Sequence, residues 1–478
     1  MKKILLMLIL FVLDGNSFAQ RCEIISMSHI GGNATDQVSS SGILLMADGH
    51  FAVPVNHVST SGDLKFDCNL APGNFIFLNY DSNFSLLSQT CAPKGVGFQL
   101  ASQHVFTQAN GDVILVGMRN VTGSSHDIGI ERRNASGNVL WTKFYGGSGS
   151  DGLGNVVEAE DGGFFISVGT NSDDGDVGMH YGSSFDADIW ILRLDNNGDK
   201  LWAKLLGGTG ADLPCDIRLG SNGSSYVFGV TTSNDHEATG NHGGSDLYVV
   251  KLDSLGEKVW HRCFGGSGDD GSGYDLGIKA IPDGSGGFYV LNRTSSQDGD
   301  VQARMPDDTD FWLLSIDSVG NIIWENTYGA SSNQYPSAIC QAVDGTLWVA
   351  GVLDGGTTPS GHVDVVYGNN DPWVVHVDTS GNFINQRVLG SERPEEVQAI
   401  MPLADETVVV FGVYRSNTSN QRSPDFPRNA SGDTDLFMAR LGPQPVGIDD
   451  PEIKDFAWEI FPNPARKYLE VKTKTDEI

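Results

Sequence analysis

A turn signal that returns at a nearly constant interval limits this chain to a repeat architecture. The signal is Asp-Gly or Asn-Gly in six copies and Asp-Glu in the last, and the copies begin at Asp48, Asn110, Asp161, Asn222, Asp283, Asp344 and Asp405. Successive copies are 62, 51, 61, 61, 61 and 61 residues apart. Each lies between two runs of strand-forming residues, so each predicts a tight β-hairpin whose central residues take positive φ.

A second turn signal falls half a repeat away from the first. Asp195 to Trp202 has the pattern Asp-x-x-Gly-x-x-x-Trp, which returns at Asp253 to Trp260 and at Asp317 to Trp324. Weaker copies run from Asn134 to Trp141 and from Asp378 to Asn385. One period therefore contains four strands, A to D in chain order, and two tight hairpins. This is the content of a β-propeller blade, and seven such blades are predicted.

The two ends of the repeat predict how the ring closes. The last repeat has a strand C at 436–441 but reaches Gly442-Pro443-Gln444-Pro445 without a strand D. The first repeat is preceded by 24–30, which matches the strand D pattern. We therefore expect 24–30 to complete the last blade, so that no open sheet edge remains. The predicted fold class is an all-β seven-bladed propeller.

The segments outside the repeat predict export. Lys2 and Lys3 precede the apolar run 4–13, and Ser17 and Ala19 suit signal peptidase, so residues 1–19 are predicted to be a signal peptide. No other run approaches the length of a membrane helix, and no transmembrane segment is expected. The chain has 30 basic and 60 acidic residues, a net charge of −30. This excess of acidic residues argues against nucleic acid as a partner.

Strand direction alternates, so the loops divide between two faces. The A–B and C–D turns form the hairpin face, and the D–A and B–C connections form the loop face. The loop face carries the long, variable segments 171–187, 231–245, 294–309, 353–370 and 414–434. Because rigid scaffolds present functional residues on such loops, any ligand is expected to bind there.

Carboxylates in two B–C loops are the candidate metal ligands. Asp173, Asp174 and Asp176 stand in one loop, and Asp298 and Asp300 in another. Alternating carboxylates attract hard cations, and calcium is the candidate cofactor. Hydrated acidic turns are the competing interpretation, because neither segment supplies a complete set of ligands. Three histidines of these loops are expected to be exposed loop residues: His180, His236 and His242.

Two further repeated patterns have both a structural and a functional interpretation. The D–A loops beginning at Gly146, Gly207 and Gly265 match the Gly-Gly-x-Gly-x-Asp of calcium β-rolls, but they return about every 61 residues, which favours a glycine-rich turn between blades. An Asp also begins strand C in six blades, at Asp127, Asp188, Asp246, Asp310, Asp371 and Asp435. Its repetition favours a structural role, in which it accepts loop amides while an aromatic residue two positions later packs between blades.

The Asp-x-x-Gly-x-x-x-Trp hairpin resembles the tryptophan-docking repeat of pyrroloquinoline-quinone dehydrogenases. The resemblance implies blade-docking roles for Trp141, Trp202, Trp260 and Trp324. It does not extend to the redox activity, because those enzymes have eight blades and a vicinal cysteine pair.

A second resemblance lies near the C-terminus. Residues 458–465, with Phe461-Pro462-Asn463-Pro464-Ala465, followed by 468–471, resemble the start of the C-terminal sorting domain of the type IX secretion system. That resemblance implies a small β-sandwich, of which this chain has only the beginning, and the type IX secretion machinery as a partner. The predicted division is 1–19 signal peptide, 20–442 propeller, 443–455 linker and 456–478 start of the sorting domain.

The six cysteines are expected in an oxidising compartment. Cys68 and Cys91 both approach the loop face of the first blade, so they are the predicted disulfide, which would stabilise the fold by roughly 3 kcal/mol. Cys215 and Cys263 are predicted on strands A and D of one blade, too far apart to bond. These two, with Cys22 and Cys340, are expected to be free.

Two functions remain open at the sequence level. One is a secreted or cell-surface propeller without catalytic residues that binds an extracellular glycan or protein. The alternative is an extracellular polysaccharide hydrolase or lyase with its site on the loop face. Two or three carboxylates, or a His with an Arg or Tyr, converging in one pocket would favour the enzyme, whereas carboxylates spread evenly round the ring would favour the binding module.

Overall fold

A computed structural model describes most of the repeat region of this chain. The described residues are 22–30, 37–38, 44–45, 51–57, 74–81, 86–91, 104–108, 110–121, 125–134, 136, 138–271, 277–302, 309–354, 359–391, 393–415, 425, 434–445, 458–461 and 470–473. The structural statements below concern these residues.

The regular structure is almost entirely β. After β1 (Cys22–Ile30), blade 1 has β2 (Gln37–Val38), β3 (Leu44–Leu45), β4 (Phe51–His57), β5 (Asn74–Tyr80) and β6 (Leu86–Cys91). Blade 2 has β7 (His104–Thr107), β8 (Val113–Asn120), β9 (His126–Arg133) and β10 (Val139–Tyr145). Blade 3 has β11 (Asp151–Glu158), β12 (Phe164–Thr170), β13 (Asp188–Leu194) and β14 (Lys200–Leu206). Blade 4 has β15 (Asp212–Leu219), a 3-10 turn (Ser221–Gly223), β16 (Ser225–Thr231), β17 (Asp246–Leu252) and β18 (Lys258–Phe264).

The remaining blades follow the same order. Blade 5 has β19 (Lys279–Pro282), β20 (Phe288–Thr294), β21 (Asp310–Ile316) and β22 (Ile322–Tyr328). Blade 6 has β23 (Gln334–Gln341), β24 (Leu347–Leu353), β25 (Asp371–Val377) and β26 (Phe383–Val388). Blade 7 has β27 (Glu395–Pro402), β28 (Val408–Arg415) and β29 (Thr434–Pro445), and two strands lie beyond it, β30 (Trp458–Phe461) and β31 (Glu470–Thr473).

Each blade is one antiparallel sheet in which neighbouring strands follow chain order. In blade 1 the first strand is split, and β2 and β3 both pair with β4. The seven sheets confirm the predicted fold class of a seven-bladed β-propeller.

The N-terminal strand closes the ring as predicted. The last blade has the order β1-β29-β28-β27, and Met27 pairs with Ala439 while Ile30 pairs with Leu436. Strand β29 continues to Pro445, opposite Cys22, so it extends three residues past the predicted end of the propeller at 442. Its partner β28 ends its pairing at Leu441, but β1 continues to offer a partner on the other side. For this reason a segment with two prolines, which lack an N–H, is still a strand.

Aromatic side chains fill the spaces between blades. The second residue after each strand C aspartate is fully or almost fully buried in five blades, as Trp190, Tyr248, Trp312, Trp373 and Phe437. Large aromatic rings contribute much of the area that a core removes from water. Each of these blade junctions therefore has a buried aromatic ring at the same position, which confirms the predicted packing role.

The strand D tryptophans dock onto the next blade. A Cβ on the glycine of the neighbouring C–D turn would lie 2.8 Å from Trp141 at Gly198, 2.7 Å from Trp202 at Gly256, 3.0 Å from Trp260 at Gly320 and 2.5 Å from Trp324 at Gly381. The indole Nε1 atoms of Trp202 and Trp260 also donate to the carbonyls of Ser254 and Ser318. The docking role that the dehydrogenase resemblance implied is therefore confirmed.

The predictions for the cysteines, the C-terminal segment and membrane helices have different outcomes. Cys215, Cys263, Cys340 and Cys22 are free, as expected. The predicted Cys68–Cys91 disulfide lies outside the residues whose side chains are described. Strands β30 and β31 form an antiparallel pair in the segment assigned to sorting, and the sorting role itself stays a prediction. No helix among the described residues is long and apolar enough to cross a membrane.

Candidate functional site

The glycine-rich D–A loops are held by side chains of the blade they enter. In blade 3, four consecutive loop amides donate to side-chain oxygens: Gly147 to Asp151, Ser148 to Asp174, Gly149 to Ser172 and Ser150 to Asn171, over 2.6–3.0 Å. Blades 4 and 5 repeat the pattern, with acceptors Asp212, Asp235, Ser233 and Thr232 in one and Asp270, Asp298, Ser296 and Ser295 in the other. Side chains of each blade thus accept the amides of the loop that enters it. Without these acceptors the amides would lack hydrogen-bond partners, which costs free energy in a buried loop.

Close approach explains the glycines of this loop. A Cβ on Gly147 would lie 2.6 Å from the carbonyl oxygen of Asp174 and 2.7 Å from Cβ of Ser172. The Gly-Gly-x-Gly-x-Asp pattern is therefore accounted for by packing of the D–A loop against the B–C loop, whether or not a cation binds.

The candidate metal ligands are distributed over two blades. Asp174 and Asp298 each accept a loop amide at equivalent positions of blades 3 and 5. Asp176 pairs with Lys200 at 2.7 Å, and Asp300 accepts the amide of Gly265 at 3.2 Å. Asp173 pairs with a histidine described below. The described residues include no group of three or more His, Cys, Asp or Glu placed to hold a metal ion. Calcium at these loops stays a prediction.

One of the three loop histidines was wrongly expected to be exposed. His180 is buried, with Nδ1 at 2.7 Å from Asp173 and Nε2 at 3.0 Å from the carbonyl of Ser183. Its pKa is raised: desolvation alone would lower it, but the hydrogen bonds to Ser183 and Asp173 and the nearby carboxylates outweigh that effect. His180 turns inward because it bonds to Asp173, seven residues earlier in the chain. Hydrophobic periodicity does not reveal such a contact.

Buried carboxyl groups meet in pairs at the junctions between blades. A Cβ on Gly146 would lie 2.5 Å from Oδ2 of Asp151 and 2.7 Å from Oδ1 of Asp127. Asp188 and Asp212 flank Gly207 in the same way, as do Asp246 and Asp270 at Gly265. In each pair, one carboxyl lies at the start of strand C of one blade and the other at the end of the D–A loop that leads into the next, where Asp151 and Asp212 also begin strand A. Sequence reasoning assigned the strand C members but did not place a second carboxyl beside them.

In three blades the strand C carboxylate uses one oxygen and leaves the other buried without a hydrogen-bond partner in the described part of the chain. The used oxygen accepts backbone amides, from Tyr181 to Asp188, from His242 to Asp246, and from Tyr367 and Gly368 to Asp371. The buried oxygen without a partner is Oδ1 in all three. The predicted amide-accepting role of these residues is confirmed at these positions.

Burial and paired charge raise the pKa values of these groups. Desolvation first, and the charge of Asp212 after it, raise the pKa of Asp188 to about 7, against the opposing effect of the Tyr181 amide. Desolvation likewise raises the pKa of Asp371 to about 6 and that of Glu395 to about 8. Glu395 occupies the strand A position of blade 7, where its Oε2 accepts the amide of Ser391. A carboxyl with such a pKa retains its proton at mildly acidic pH.

Blade 3 carries an apolar protrusion on the loop face. Phe185 is 94% exposed and Met179 is 78% exposed, and both belong to its B–C loop. In the same loop Tyr181 stacks on His236 of the next blade, with ring centroids 4.6 Å apart and planes at 21°. His236 takes a φ of 48°, a conformation that costs free energy for a residue with a side chain. The protrusion and this stack make blades 3 and 4 the part of the described loop face with the most exposed apolar and aromatic surface.

A polar arc crosses the innermost strands. At the position of strand A opposite the fourth residue of strand B, blades 2 to 5 have His104, Asn155, Asp216 and Lys279. Blades 6 and 7 have Ala338 and Ala399 at the same position. In blades 3, 4, 6 and 7 a register shift immediately precedes this residue. Sequence reasoning missed the arc, although aligning the strand A segments of the repeats would have revealed it.

Side chains of the arc join successive blades around the central channel. Asn155 Nδ2 donates to Oδ1 of Asp216 at 2.6 Å, and Oδ2 of Asp216 accepts the amide of Ala280 in blade 5 at 3.0 Å. Arg218 donates to the same Oδ2 through Nε and an η nitrogen. Desolvation first and the Lys279 ammonium second lower the pKa of His104 to about 4.

Comparison with known proteins leaves the family open. No family model matches the chain, and no curated protein matches its sequence. Similar solved structures include a protein of unknown function from Dyadobacter fermentans DSM 18053, at 10% identity and a TM-score of 0.40, over 88% of this chain and 98% of that one. A puromycin hydrolase matches at 11% identity and a TM-score of 0.39, over 82% of this chain and 60% of that one. A GH43 β-xylosidase/α-arabinofuranosidase from a compost microbial metagenome matches at 13% identity and a TM-score of 0.31, over 62% and 97%.

Proposed function

We propose that this chain is an exported, non-catalytic β-propeller that binds an extracellular glycan or protein on its loop face. The observation that carries the proposal is the exposed pair Phe185 and Met179 on blade 3. Large apolar side chains held out in solvent on a rigid scaffold are typical of interaction sites, where aromatic residues supply most of the binding free energy.

The distribution of carboxyl groups favours binding over catalysis. The groups with strongly raised pKa values are fully buried at two blade junctions, Asp188 between blades 3 and 4, and Asp371 with Glu395 between blades 6 and 7. Each accepts backbone amides of its own loops. A general acid or base has to come within hydrogen-bonding reach of substrate, which burial at a junction prevents. These carboxyls are better explained as part of the scaffold that positions the loops.

Binding to a glycan array by the full chain tests the proposal. The double variant Phe185→Ser/Met179→Ser should lose at least about tenfold in apparent affinity, since two apolar side chains that become buried when the ligand binds contribute more than the roughly 1.4 kcal/mol that corresponds to this factor. The matched control is Leu255→Ser/Val319→Ser, which removes residues 73% and 53% exposed in C–D turns of the hairpin face. Binding that survives the first variant and is lost in the second would overturn the choice of face.

The same array separates the two functions. A hydrolase or lyase would release soluble fragments from a polysaccharide that it recognises, whereas a binding module retains the polymer unchanged. Recognition with release of fragments would replace the proposed function by the enzymatic one. If no glycan binds, a protein ligand becomes the remaining class, tested by cross-linking at the cell surface with and without the Phe185→Ser/Met179→Ser substitutions.

Delivery to the cell surface or the medium belongs to the proposal. Its support is the sequence of residues 1–19 and the resemblance of 458–471 to type IX sorting domains. Cells that express a chain ending at Pro445 should retain the propeller in the periplasm, as fractionation would show. Unchanged delivery of this shortened chain would remove the sorting role of the tail.

Calcium is the proposed cation for the acidic B–C loops. A ligand that binds only the folded state raises Tm, so the melting temperature in calcium should exceed that in a chelator. The triple variant Asp173→Asn/Asp174→Asn/Asp176→Asn should lose this difference. Equal melting of the unaltered chain under both conditions would remove calcium from the proposal.

A further inference from the structure

The polar arc of the innermost strands is not required by the propeller fold. Blades 6 and 7 form the same strand A, with the same register shift, around Ala338 and Ala399. A position that accepts alanine in two blades needs no hydrogen-bonding side chain to build the ring. The polar residues at this position in blades 2 to 5 therefore need an explanation other than the fold.

Hydrogen bonding accounts for three members of the arc and leaves the fourth. Asn155 and Asp216 bond to each other, and Asp216 also accepts Arg218 and a backbone amide. His104 bonds to the backbone of Gly154 in the next blade. Lys279 has no carboxylate within ion-pair distance among the described residues, although this chain has two acidic residues for every basic one. An ammonium without a counterion, partly removed from water, is the natural partner of an anion.

Lys279 acts electrostatically on side chains of two other blades. Its charge acts on His104, which belongs to the innermost strand three blades away round the ring, and on the thiol of Cys215 in the adjacent blade. Since the arc residues occupy equivalent positions of neighbouring strands, they lie at one level of the channel. Among the described residues at that level, Arg218 offsets Asp216, and Lys279 remains as a net positive charge.

We propose that Lys279 and His104 form a binding site for a small oxyanion, a carboxylate or phosphate, inside the central channel. Lys279 supplies the charge, and the imidazole of His104 supplies a hydrogen-bond donor on the opposite wall. The site is independent of the loop-face site, because it lies on the innermost strands and uses none of its residues.

The proposal is tested by titrating the imidazole of His104 by NMR in the full chain, with its signals assigned through a His104→Asn variant. Addition of inorganic phosphate, and of acetate in a separate arm, should shift the His104 resonances saturably and raise the pKa of His104, because an anion stabilises the imidazolium. The arm with the lower saturation midpoint identifies the class of oxyanion.

Substitution of the lysine distinguishes a binding site from a structural contact. Lys279→Met keeps the aliphatic stem and removes the charge, so the pKa of His104 should rise without any added anion, and neither phosphate nor acetate should shift it further. The control Lys200→Met removes a lysine that pairs with Asp176 on the outer strand of blade 3, and it should leave both titrations as in the unaltered chain. A saturable shift that persists in Lys279→Met, or the absence of any shift in the unaltered chain, overturns the proposal. If the Lys279→Met variant fails to fold, Lys279→Gln takes its place, because it also removes the charge and keeps a polar side chain.

Discussion

At the residue scale, the carboxyl pairs between blades determine how this protein responds to pH. Asp188 faces the amide of Tyr181, the carboxyl of Asp212, and the nearby His180 and Asp186. Its buried Oδ1 lies toward Asp212 across Gly207. If Asp188 holds a proton, the buried Oδ1 belongs to an uncharged carboxyl and the repulsion between the two like charges is removed.

We expect the free energy of unfolding to fall as pH rises from about 6.5 to about 8, above the range in which the lowered pKa values of His104 and His376 act in the opposite direction. The pKa of Asp188 is about 7 when folded, against an ordinary value of 3.8 for an exposed aspartate, so in this range the folded state binds more protons than the unfolded state. The slope of stability with pH follows the protons bound by the unfolded state minus those bound by the folded state, and is therefore negative. The stability that the protonated group contributes is fully present below its unfolded pKa and is lost as pH rises through the folded pKa. Asp371 and Glu395, also raised, act in the same direction.

Asp188→Asn should flatten this decline, because it replaces the titrating carboxyl with an amide that does not ionise. Tm measured between about pH 6.5 and about pH 8 should fall less in this variant than in the unaltered chain. The control is Asp174→Asn, an exposed residue whose Oδ1 acceptor the substitution keeps. A decline as steep in Asp188→Asn as in the control would show that Asp188 does not contribute to the pH dependence.

Residue-level prediction from the sequence succeeded where the repeat itself carries the information. The strand C aspartates and the docking tryptophans return in blade after blade, so their structural roles could be inferred from spacing. The second carboxyl of each pair comes from the next blade, and His180 turns inward toward Asp173. The carboxyl pairs and the orientation of His180 both depend on contacts between loops, and hydrophobic periodicity does not predict such contacts.

At the scale of the element, the C–D turn requires glycine for two reasons, a positive φ and the close approach of a tryptophan ring. Gly256 has a φ of 81°, and a Cβ there would meet the ring of Trp202 from the preceding blade. The turn type could be predicted from the Asp-x-x-Gly pattern. The steric demand could not, because it belongs to the junction between two blades.

Substituting this glycine should separate the two demands. Gly284 in the A–B turn of blade 5 has a φ of 80°, with no heavy atom within 4 Å of the Cβ position. Gly284→Ala should cost about 1–2 kcal/mol, the cost of a left-handed conformation. Gly256→Ala should cost about 1–3 kcal/mol more, because the methyl group displaces Trp202. Urea denaturation measures both, and equal losses in the two variants would mean that the tryptophan contact contributes little.

At the scale of the whole molecule, closure joins the start of the repeat region to its end. The sequence predicts this closure from two matching observations, a missing strand D after 441 and an extra strand before the first repeat. It placed the end of the propeller three residues early, because Pro443 and Pro445 favour a linker and only the pairing with β1 makes them a strand.

Removing β1 should therefore weaken the whole ring and not only one blade. Without Cys22–Ile30, strand β29 becomes an open edge, and Cys22, buried in the core cluster of blades 6 and 7, leaves a cavity. We expect a chain that begins at residue 31 to melt at least several degrees lower than one that begins at residue 20, which lacks only the predicted signal peptide. A peptide of residues 20–31 added in trans should restore Tm in proportion to the logarithm of its concentration, since a ligand of the folded state stabilises by mass action. A peptide of the same composition in scrambled order is the control. Equal melting of the two shortened chains, or equal rescue by the scrambled peptide, would show that β1 is an accessory strand and that the ring is held by contacts between neighbouring blades alone.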